Sequence, residues 1–350
     1  MVKNVLVGIS GGVDSAVAAA ILQKRGYRVE GLYLQNGFPV GSEREAAAVA
    51  DRLGFPLHTL DIMVPFRNDI VDYFAGEYLA GRTPNPCIVC NKQIKFRYLL
   101  EEARTRGLDS IATGHYARVE DTGGKEELRL LKGIDRGKDQ SYFLFQLGQE
   151  ELRRLIFPNG DRTKKEIQEM ALGLNLPPRK ESQEICFIPD DNYRTFLETY
   201  PATLPRPGNI VDSEGNTVGK HRGTHTVTIG QRKGLNIASR RPYYVLEIHT
   251  ERNEVIVGRE EDQFACGLVA TACSWISGDP VSEGIVHAKT HIRYRHRGID
   301  SQITLLPDNR VRVQFETPRQ VGVAPGQGAV FFQGDRLLGG GWIERGLHDV

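Results

Sequence analysis

The chain has 350 residues, 25% of them charged and 40% hydrophobic, with a formal net charge of +1. This is globular usage over a length that accommodates two or three domains, and the near-neutral balance means that any nucleic-acid surface must be local. No apolar run reaches membrane-spanning length and Met1-Val2-Lys3-Asn4 leads straight into a strand, so a cytoplasmic location with no membrane contact is expected.

The first third alternates strand and helix. The expected strands are Asn4–Ile9, Arg28–Leu34, Leu57–Ile62 and Ser110–Gly114. The expected helices are Val13–Arg25, Glu43–Leu53, Phe66–Ala80 and Lys92–Arg106. Ser42 with Glu45 forms a capping box, and Gly54 stands where that helix should stop. Such alternation predicts a parallel sheet with helices on both faces and a ligand beyond the carboxyl ends of its strands. One such end is Ser10-Gly11-Gly12-Val13-Asp14-Ser15, directly after Val5-Leu6-Val7-Gly8-Ile9. Its glycines let backbone N–H groups approach an anion, the helix start adds its dipole, and the Ser10 and Ser15 hydroxyls can donate. Asp14 could hold Mg²⁺ on bound phosphates. No G-x-x-x-x-G-K-[ST] is present, so this is not a Walker loop.

From Arg118 to Leu147 the pattern turns to short strands, Leu128–Leu131 and Tyr142–Phe145 among them, and Thr163–Asn175 reads as a helix. Pro201, Pro205, Pro207 and Gly208 mark a break. Short β segments follow over 208–258 and again over 265–346, where Val311, Val313 and Phe315 alternate with polar residues. The expected domains are 1–200 (an α/β unit), 201–262 (a small β-rich unit) and 263–350 (a β-barrel).

Five cysteines, an odd number without an export signal, argue against a disulfide framework. Cys87 and Cys90 are presented by the proline-stiffened segment Thr83-Pro84-Asn85-Pro86, and Cys186 lies in Glu181-Ser182-Gln183-Glu184-Ile185-Cys186-Phe187. Cys90 is expected at a helix start, where the dipole and Lys92 would lower its pKa. A lone C-x-x-C fits zinc, an iron–sulfur cluster or a dithiol switch. Three thiolates could hold three irons of a [4Fe–4S] cluster and leave the fourth open. Cys266 and Cys273 read as small buried side chains, and His221, His225 and His249 show no ligand spacing.

S-G-G-V-D-S resembles the pyrophosphate loop of the N-type ATP pyrophosphatases. Together with T-P-N-P-x-x-x-C-N-K-x-I-K-F, A-T-G-H-Y-A, G-x-D-x-x-K-D-Q-S-Y-F-L and E-S-Q-E-I-C-F-I-P it is similar to the tRNA-specific 2-thiouridylase family over nearly the whole chain. The resemblance implies a Rossmann-like ATP-pyrophosphatase α/β domain, a small β-rich central domain and a C-terminal β-barrel. It also implies ATP-dependent adenylation of the C2 oxygen of the wobble uridine in the tRNA anticodon stem-loop, then sulfur transfer from a donor protein or sulfide source, with AMP and pyrophosphate released. Carried over, the ATP site is Gly8, Ile9, Ser10, Gly11, Gly12, Val13, Asp14, Ser15, Leu34 and Gly114. The target-base loop is Asn85, Pro86 and Cys87, and further tRNA contacts are His115, Lys138, Asp139, Gln140, Arg293, Tyr294 and Gln327. Cys90 matches the nucleophile and Cys186 the persulfide carrier. Familiar members have Asp where this chain has Cys87, which favours a cluster on Cys87, Cys90 and Cys186 over a simple persulfide relay.

Between Ile285 and Ile299 lie Lys289, Arg293, Arg295 and Arg297 with no Asp or Glu. As a strand this would present Arg293, Arg295 and Arg297 on one face, suited to a phosphate backbone. An amidating ligase such as a GMP or NAD synthetase would need no paired thiols, and a non-enzymatic RNA-binding module would need no phosphate loop.

Overall fold

The computed structural model describes residues 3–38, 42–123, 127–176, 185–188, 192–201, 203–277, 284–317 and 322–348. The N-terminal sheet is built from β1 (Asn4–Gly8), β2 (Arg28–Gln35), β3 (Leu57–Asp61) and β4 (Ser110–Ala112). After a hairpin of β5 (Ala117–Asp121) and β6 (Leu128–Lys132), it is completed by β7 (Leu155–Ile156). The order is β3-β2-β1-β4-β7 and every pairing within it is parallel. Chain order reverses between β1 and β4, so their carboxyl ends flank the crevice where a ligand binds in such sheets.

The helix Val13–Lys24 buries Ser15 to Leu22 without interruption, because Ile167, Ala171 and Leu176 cover the side turned away from the sheet. Glu43–Leu53 is capped as the sequence predicts, with Ser42 and Glu45 in a reciprocal box and Gly54 left-handed at φ 70°. Two helices differ from expectation. One starts at Met63 and passes through a π-helical segment, Arg67–Val71. The other starts at Pro86 rather than Lys92, with Pro at the first helical position, where its missing N–H is no loss. It too contains a π segment, Cys90–Phe96, before continuing as Arg97–Thr105. Tyr142–Phe145 is not a strand but belongs to a 3₁₀ turn, Ser141–Leu144.

The middle unit comprises β8 (Gly208–Asp212), β9 (Thr217–His221), β10 (Tyr244–His249) and β11 (Glu254–Gly258), in the order β10-β11-β8-β9. Its core is Ile210, Val227, Leu235, Val245, Val255 and Val257. The C-terminal strands are β12 (Gly267–Trp275), β13 (Ile285–His291), β14 (Ile299–Leu306), β15 (Arg310–Phe315), β16 (Gly328–Gln333) and β17 (Arg336–Leu347). They run antiparallel as β12-β15-β14-β13-β16-β17, and β17 returns to β12 to close a barrel. Closure leaves no open edge in the ring. The segment from Arg293 to Arg297 is a turn between β13 and β14, with Arg295 left-handed at φ 63°, so the expected one-faced basic strand does not form. Among the described residues no helix is long and apolar enough to cross a membrane.

The barrel is physically part of the α/β unit. Leu130 and Leu131 of β6 pair with Leu337 and Arg336 of β17, so the hairpin extends the barrel's sheet. One apolar cluster runs from Leu6 and Leu32 through Leu130 and Phe145 to Val330 and Leu337. Leu130→Ala is expected to remove about 2–5 kcal/mol of stability and to lower both units together. Helical circular dichroism reports the α/β unit, while Trp275 and Trp342, the only two tryptophans, report the barrel. Coincident shifts are expected; a shift confined to the tryptophan signal would show that the units unfold independently.

Candidate active site

The Ser10–Gly12 loop follows β1 and Ile9 and enters the next helix at Val13. Gly11 has φ 78°, and a Cβ there would stand 2.8 Å from the Glu45 Cβ, so only glycine fits. Gly12 caps the helix without any side-chain hydrogen bond, so the first N–H groups keep their positive end toward the crevice. The Ser15 hydroxyl donates to the Gly12 carbonyl at 2.9 Å, and the Ser10 and Ser15 hydroxyls lie 3.3 Å apart. Gly8 and Leu34 stand at the ends of β1 and β2 beside it.

Asp14 does not stand open to a metal. Lys164 Nζ donates to both of its carboxylate oxygens, at 2.7 and 2.8 Å, and the Tyr116 hydroxyl donates to Oδ1 at 2.7 Å. The Lys164 side chain is only 15% exposed and that of Asp14 39%. The expected Mg²⁺ ligand is thus an ion-pair partner here, and the built-in positive charge at the loop is Lys164. Gly114, at the end of β4, packs so closely that a Cβ would lie 2.7 Å from the Asp14 carbonyl carbon and 2.9 Å from the Ser15 nitrogen. The fully buried Asn159 clamps this contact, its amide donating to the carbonyls of Asp14 (2.9 Å) and Gly114 (3.0 Å).

The next residue, His115, faces the second centre. Its Nδ1 is 2.8 Å from the Thr113 hydroxyl, and its ring packs on Phe96 and Phe157. Burial, then the Lys95 charge, push its pKa down to about 3, so it is neutral. Lys95 also acts on Cys87, Cys90 and Cys186, which perturb one another as well. Burial pushes Cys87 up to about 11 and Cys90 to about 12, and it raises Cys186; Lys95 opposes all three. Burial also opposes the Lys95 charge, but the Coulombic pull of the cysteines, exerted as they ionise, raises its pKa above the usual value.

The expected depression of the Cys90 pKa by a helix start and Lys92 is therefore reversed. The helix begins four residues earlier, Cys90 is buried, and Lys92 is paired with Glu151. The cation at the thiols is Lys95, brought round by the π segment: five residues on from Cys90 is far around an α-helix but near the same face of a π-helix. Cys266 and Cys273 are buried in the barrel unit, as expected. Among the described residues no three His, Cys, Asp or Glu side chains are arranged to hold a metal ion.

The barrel holds the loop that carries these thiols. Gln327 Nε2 donates to the carbonyls of Thr83 and Pro84, both at 3.0 Å, and the Thr83 N–H donates to Pro325 at 2.8 Å. Asn85 is 9% exposed and Pro86 is buried at the helix start. The Tyr142 hydroxyl donates to the Gly328 carbonyl, and Tyr294 packs on Phe143 with ring centroids 4.4 Å apart. Asp139 accepts from Gly133, Ser141 N–H and Ser141 Oγ, and burial raises its pKa; Gln140 bridges to the Tyr116 backbone, with Lys138 beside them. Arg293 lines a shallow cavity of ≈ 510 Å³ with Arg295, His296 and Arg297. It also borders a second, of ≈ 330 Å³, shared with Thr83 and Gln327.

Residues 3–190 match the family model for the tRNA methyl transferase HUP domain, 194–259 its PRC-barrel domain and 266–343 an aminomethyltransferase β-barrel domain. The chain is 47% identical over 340 residues to tRNA-specific 2-thiouridylase MnmA 2 of Syntrophus aciditrophicus, covering 91% of this chain and 99% of that one. It is 45% identical to MnmA of Geotalea uraniireducens, with 99% and 96% covered, and 44% identical to that of Carboxydothermus hydrogenoformans, with 99% and 98% covered. The chain belongs to the tRNA-specific 2-thiouridylase family.

In this 2-thiouridylase the sequence singled out both loops but not the residues that serve them. Lys95 lies within the quoted N-K-x-I-K-F and was passed over for Lys92; only the π segment distinguishes the two. Tyr116, Asn159 and Lys164 are polar residues with no motif, and Lys164 reads as an ordinary first-turn lysine. Because Lys95 lowers the thiol pKa values, Lys95→Gln moves them further up, and each unit costs about tenfold in thiolate at a fixed pH below the pKa. Alkylation of the partly exposed Cys87 and Cys186 should slow accordingly, and Lys95→Arg should restore it. Unchanged rates across pH 7–10 would show that Lys95 does not act on the thiols.

Proposed function

We propose that this chain thiolates tRNA. ATP adenylates the C2 oxygen of the wobble uridine in the anticodon stem-loop, pyrophosphate leaves, and sulfur displaces AMP to give 2-thiouridine. The observation that carries this reading is the run Thr113-Gly114-His115, whose Gly114 touches the phosphate loop while His115 faces Lys95 among three cysteines. Phosphate activation and sulfur delivery thus meet across two consecutive residues. The relatives' name supports the same reading. Such an enzyme works where tRNA is, in the cytoplasm.

The α-phosphate is placed by the N–H groups at the helix start and by Lys164, which offset the charge on the departing pyrophosphate. No step is assigned to Mg²⁺, since Asp14 is engaged by Lys164 and Tyr116. A uridine reaching this crevice must leave its stack, and the Asn85-Pro86-Cys87 loop held by Gln327 is where it would lie. Arg293, Tyr294 and Lys138 border that approach.

For sulfur, a [4Fe–4S] cluster on Cys87, Cys90 and Cys186 does not fit the thiols as they stand, and no step is derived through it. A relay needs only two of them. A persulfide on Cys186, loaded by a sulfur donor, attacks C2 with its terminal sulfur and AMP leaves. The Cys90 thiolate then attacks the Cys186 sulfur, forming the Cys90–Cys186 disulfide and leaving sulfur on the base. A thiol reductant returns both cysteines.

Two experiments test this. Asp14→Asn and Lys164→Gln should each lower tRNA-dependent pyrophosphate release by about 10²-fold; unchanged turnover in both sinks the assignment of the loop. In anaerobically purified protein the relay predicts less than about one iron per chain, with thiolation retained by Cys87→Asp and lost by Cys90→Ala and Cys186→Ala. Stoichiometric iron and sulfide, lost in each of three Cys→Ala variants, would replace the relay with a cluster.

A further inference from the structure

The middle unit carries a charge imbalance that neither loop uses. From Asn216 to Leu246 there is no Asp or Glu, yet the segment holds Lys220, Arg222, Arg232, Lys233, Arg240 and Arg241. The whole chain balances 45 cations against 44 carboxylates, so the excess is local. All six side chains are exposed. Arg241 is paired with Glu261, and the other five enter no ion pair among the described residues.

Two of the five stand on a fixed turn. Arg232 and Lys233 lie between Gly230 (φ 79°) and Gly234 (φ 82°). The Gly230 N–H donates to Val245, the Val245 N–H to Gln231, and the Gln231 amide to the Lys233 carbonyl, at 2.8, 3.0 and 2.9 Å. Arg194 braces the approach, donating to the Thr226 carbonyl at 2.8 Å. Thr228, Ile229 and Gly230 form one rim of the ≈ 330 Å³ cavity whose other walls include Thr83, Arg293 and Gln327. The turn therefore borders the crevice of the thiol-bearing loop. Among the described residues none of the exposed large apolar side chains (Met63, Val64, Ile134, Leu172, Ile285) lies in this segment. A protein partner would call for an apolar centre, whereas a polyanion needs only spaced, preorganised cations.

We propose that the turn carrying Arg232 and Lys233 grips the phosphodiester backbone of the tRNA anticodon stem, beside the crevice that the turn borders. The inference rests on the tRNA reading above. It adds a second, sequence-independent anchor that holds the arm while the target base enters the crevice. Neutralising phosphates here raises affinity for the whole molecule without touching the chemistry, since each contact contributes to the salt dependence and none carries base information.

The test compares full-length tRNA with an isolated anticodon stem-loop, using the full chain and its Arg232→Glu/Lys233→Glu and Arg232→Gln/Lys233→Gln variants. For both RNAs we expect KM to rise at least about tenfold in the reversal variant and less in the neutral one. The slope of log affinity against log salt should shrink by about 1.8 for two lost phosphate contacts. kcat at saturating RNA should be unchanged for both, which also shows that the variants fold. An unchanged KM and salt slope on the stem-loop would overturn the proposal, whether or not full-length tRNA is affected. A defect seen only when a donor protein, and not inorganic sulfide, supplies the sulfur would assign the face to that protein instead. Wild-type protein unable to thiolate either RNA would sink the tRNA reading itself, a result distinct from all of these.

Discussion

The geometry of the site depends on one backbone contact, that of Gly114 against Asp14 and Ser15. A side chain at residue 114 would occupy the space of the loop's own peptide group, so β1 and β4 can end side by side only because no Cβ is there. The two amide bonds from Asn159 then lock both carbonyls from a third segment. Once this contact is made, the direction of the helix start, the position of Lys164 and the orientation of His115 all follow, because each is covalently adjacent to a clamped residue or hydrogen-bonded to one. A topological switch point tells where a ligand goes; here the close approach of two backbones decides which side chains meet it.

Around that contact two lysines divide the electrostatic work. Lys164 is held against a carboxylate, and Lys95 is held against thiols that burial keeps protonated. The difference matters chemically. A cation already neutralised by Asp14 leaves no net desolvated charge in the empty site. A cation whose neighbours are neutral thiols favours whichever of them becomes an anion, so it stabilises a thiolate or persulfide only when sulfur chemistry is under way. The neutral His115 between Lys95 and the aromatic rings adds no competing charge.

What the sequence reveals and what it hides follow from range. Val5 to Ser15, the Ser42 cap, Gly54 and the alternating Val311-Val313-Phe315 are local patterns, and they appear as expected. The start at Pro86 was hidden because two prolines and a cysteine pair look like a loop, although proline is favoured at the first helical position. The π segment leaves no composition mark, and with it goes the choice between Lys92 and Lys95. Arg293 to Arg297 alternate as a strand would, but the chain must reverse between β13 and β14, and the turn takes precedence over the pattern. Asn159, Tyr116 and Lys164 act across more than forty residues of sequence, and a single chain carries no trace of such pairings.

The barrel is more than an appended RNA-binding module. Its Pro325 and Gln327 supply three hydrogen bonds to the Thr83-Pro84 backbone, and Gly326 packs so close that a Cβ would stand 2.9 Å from the Thr83 oxygen. The loop leading to Cys87 and Cys90 therefore takes its shape from the barrel, while β6 ties the barrel back to the segment that follows His115. Force applied to either side has a short path to the thiols: through Gln327 to residues 83–85, or through β5 to Tyr116 and His115. Two short paths, each joined to the barrel by hydrogen bonds, make the thiol geometry a property of the whole chain. The same construction explains why a residue such as Gln327, which the family pattern suggests for RNA contact, is already spent on the protein's own backbone.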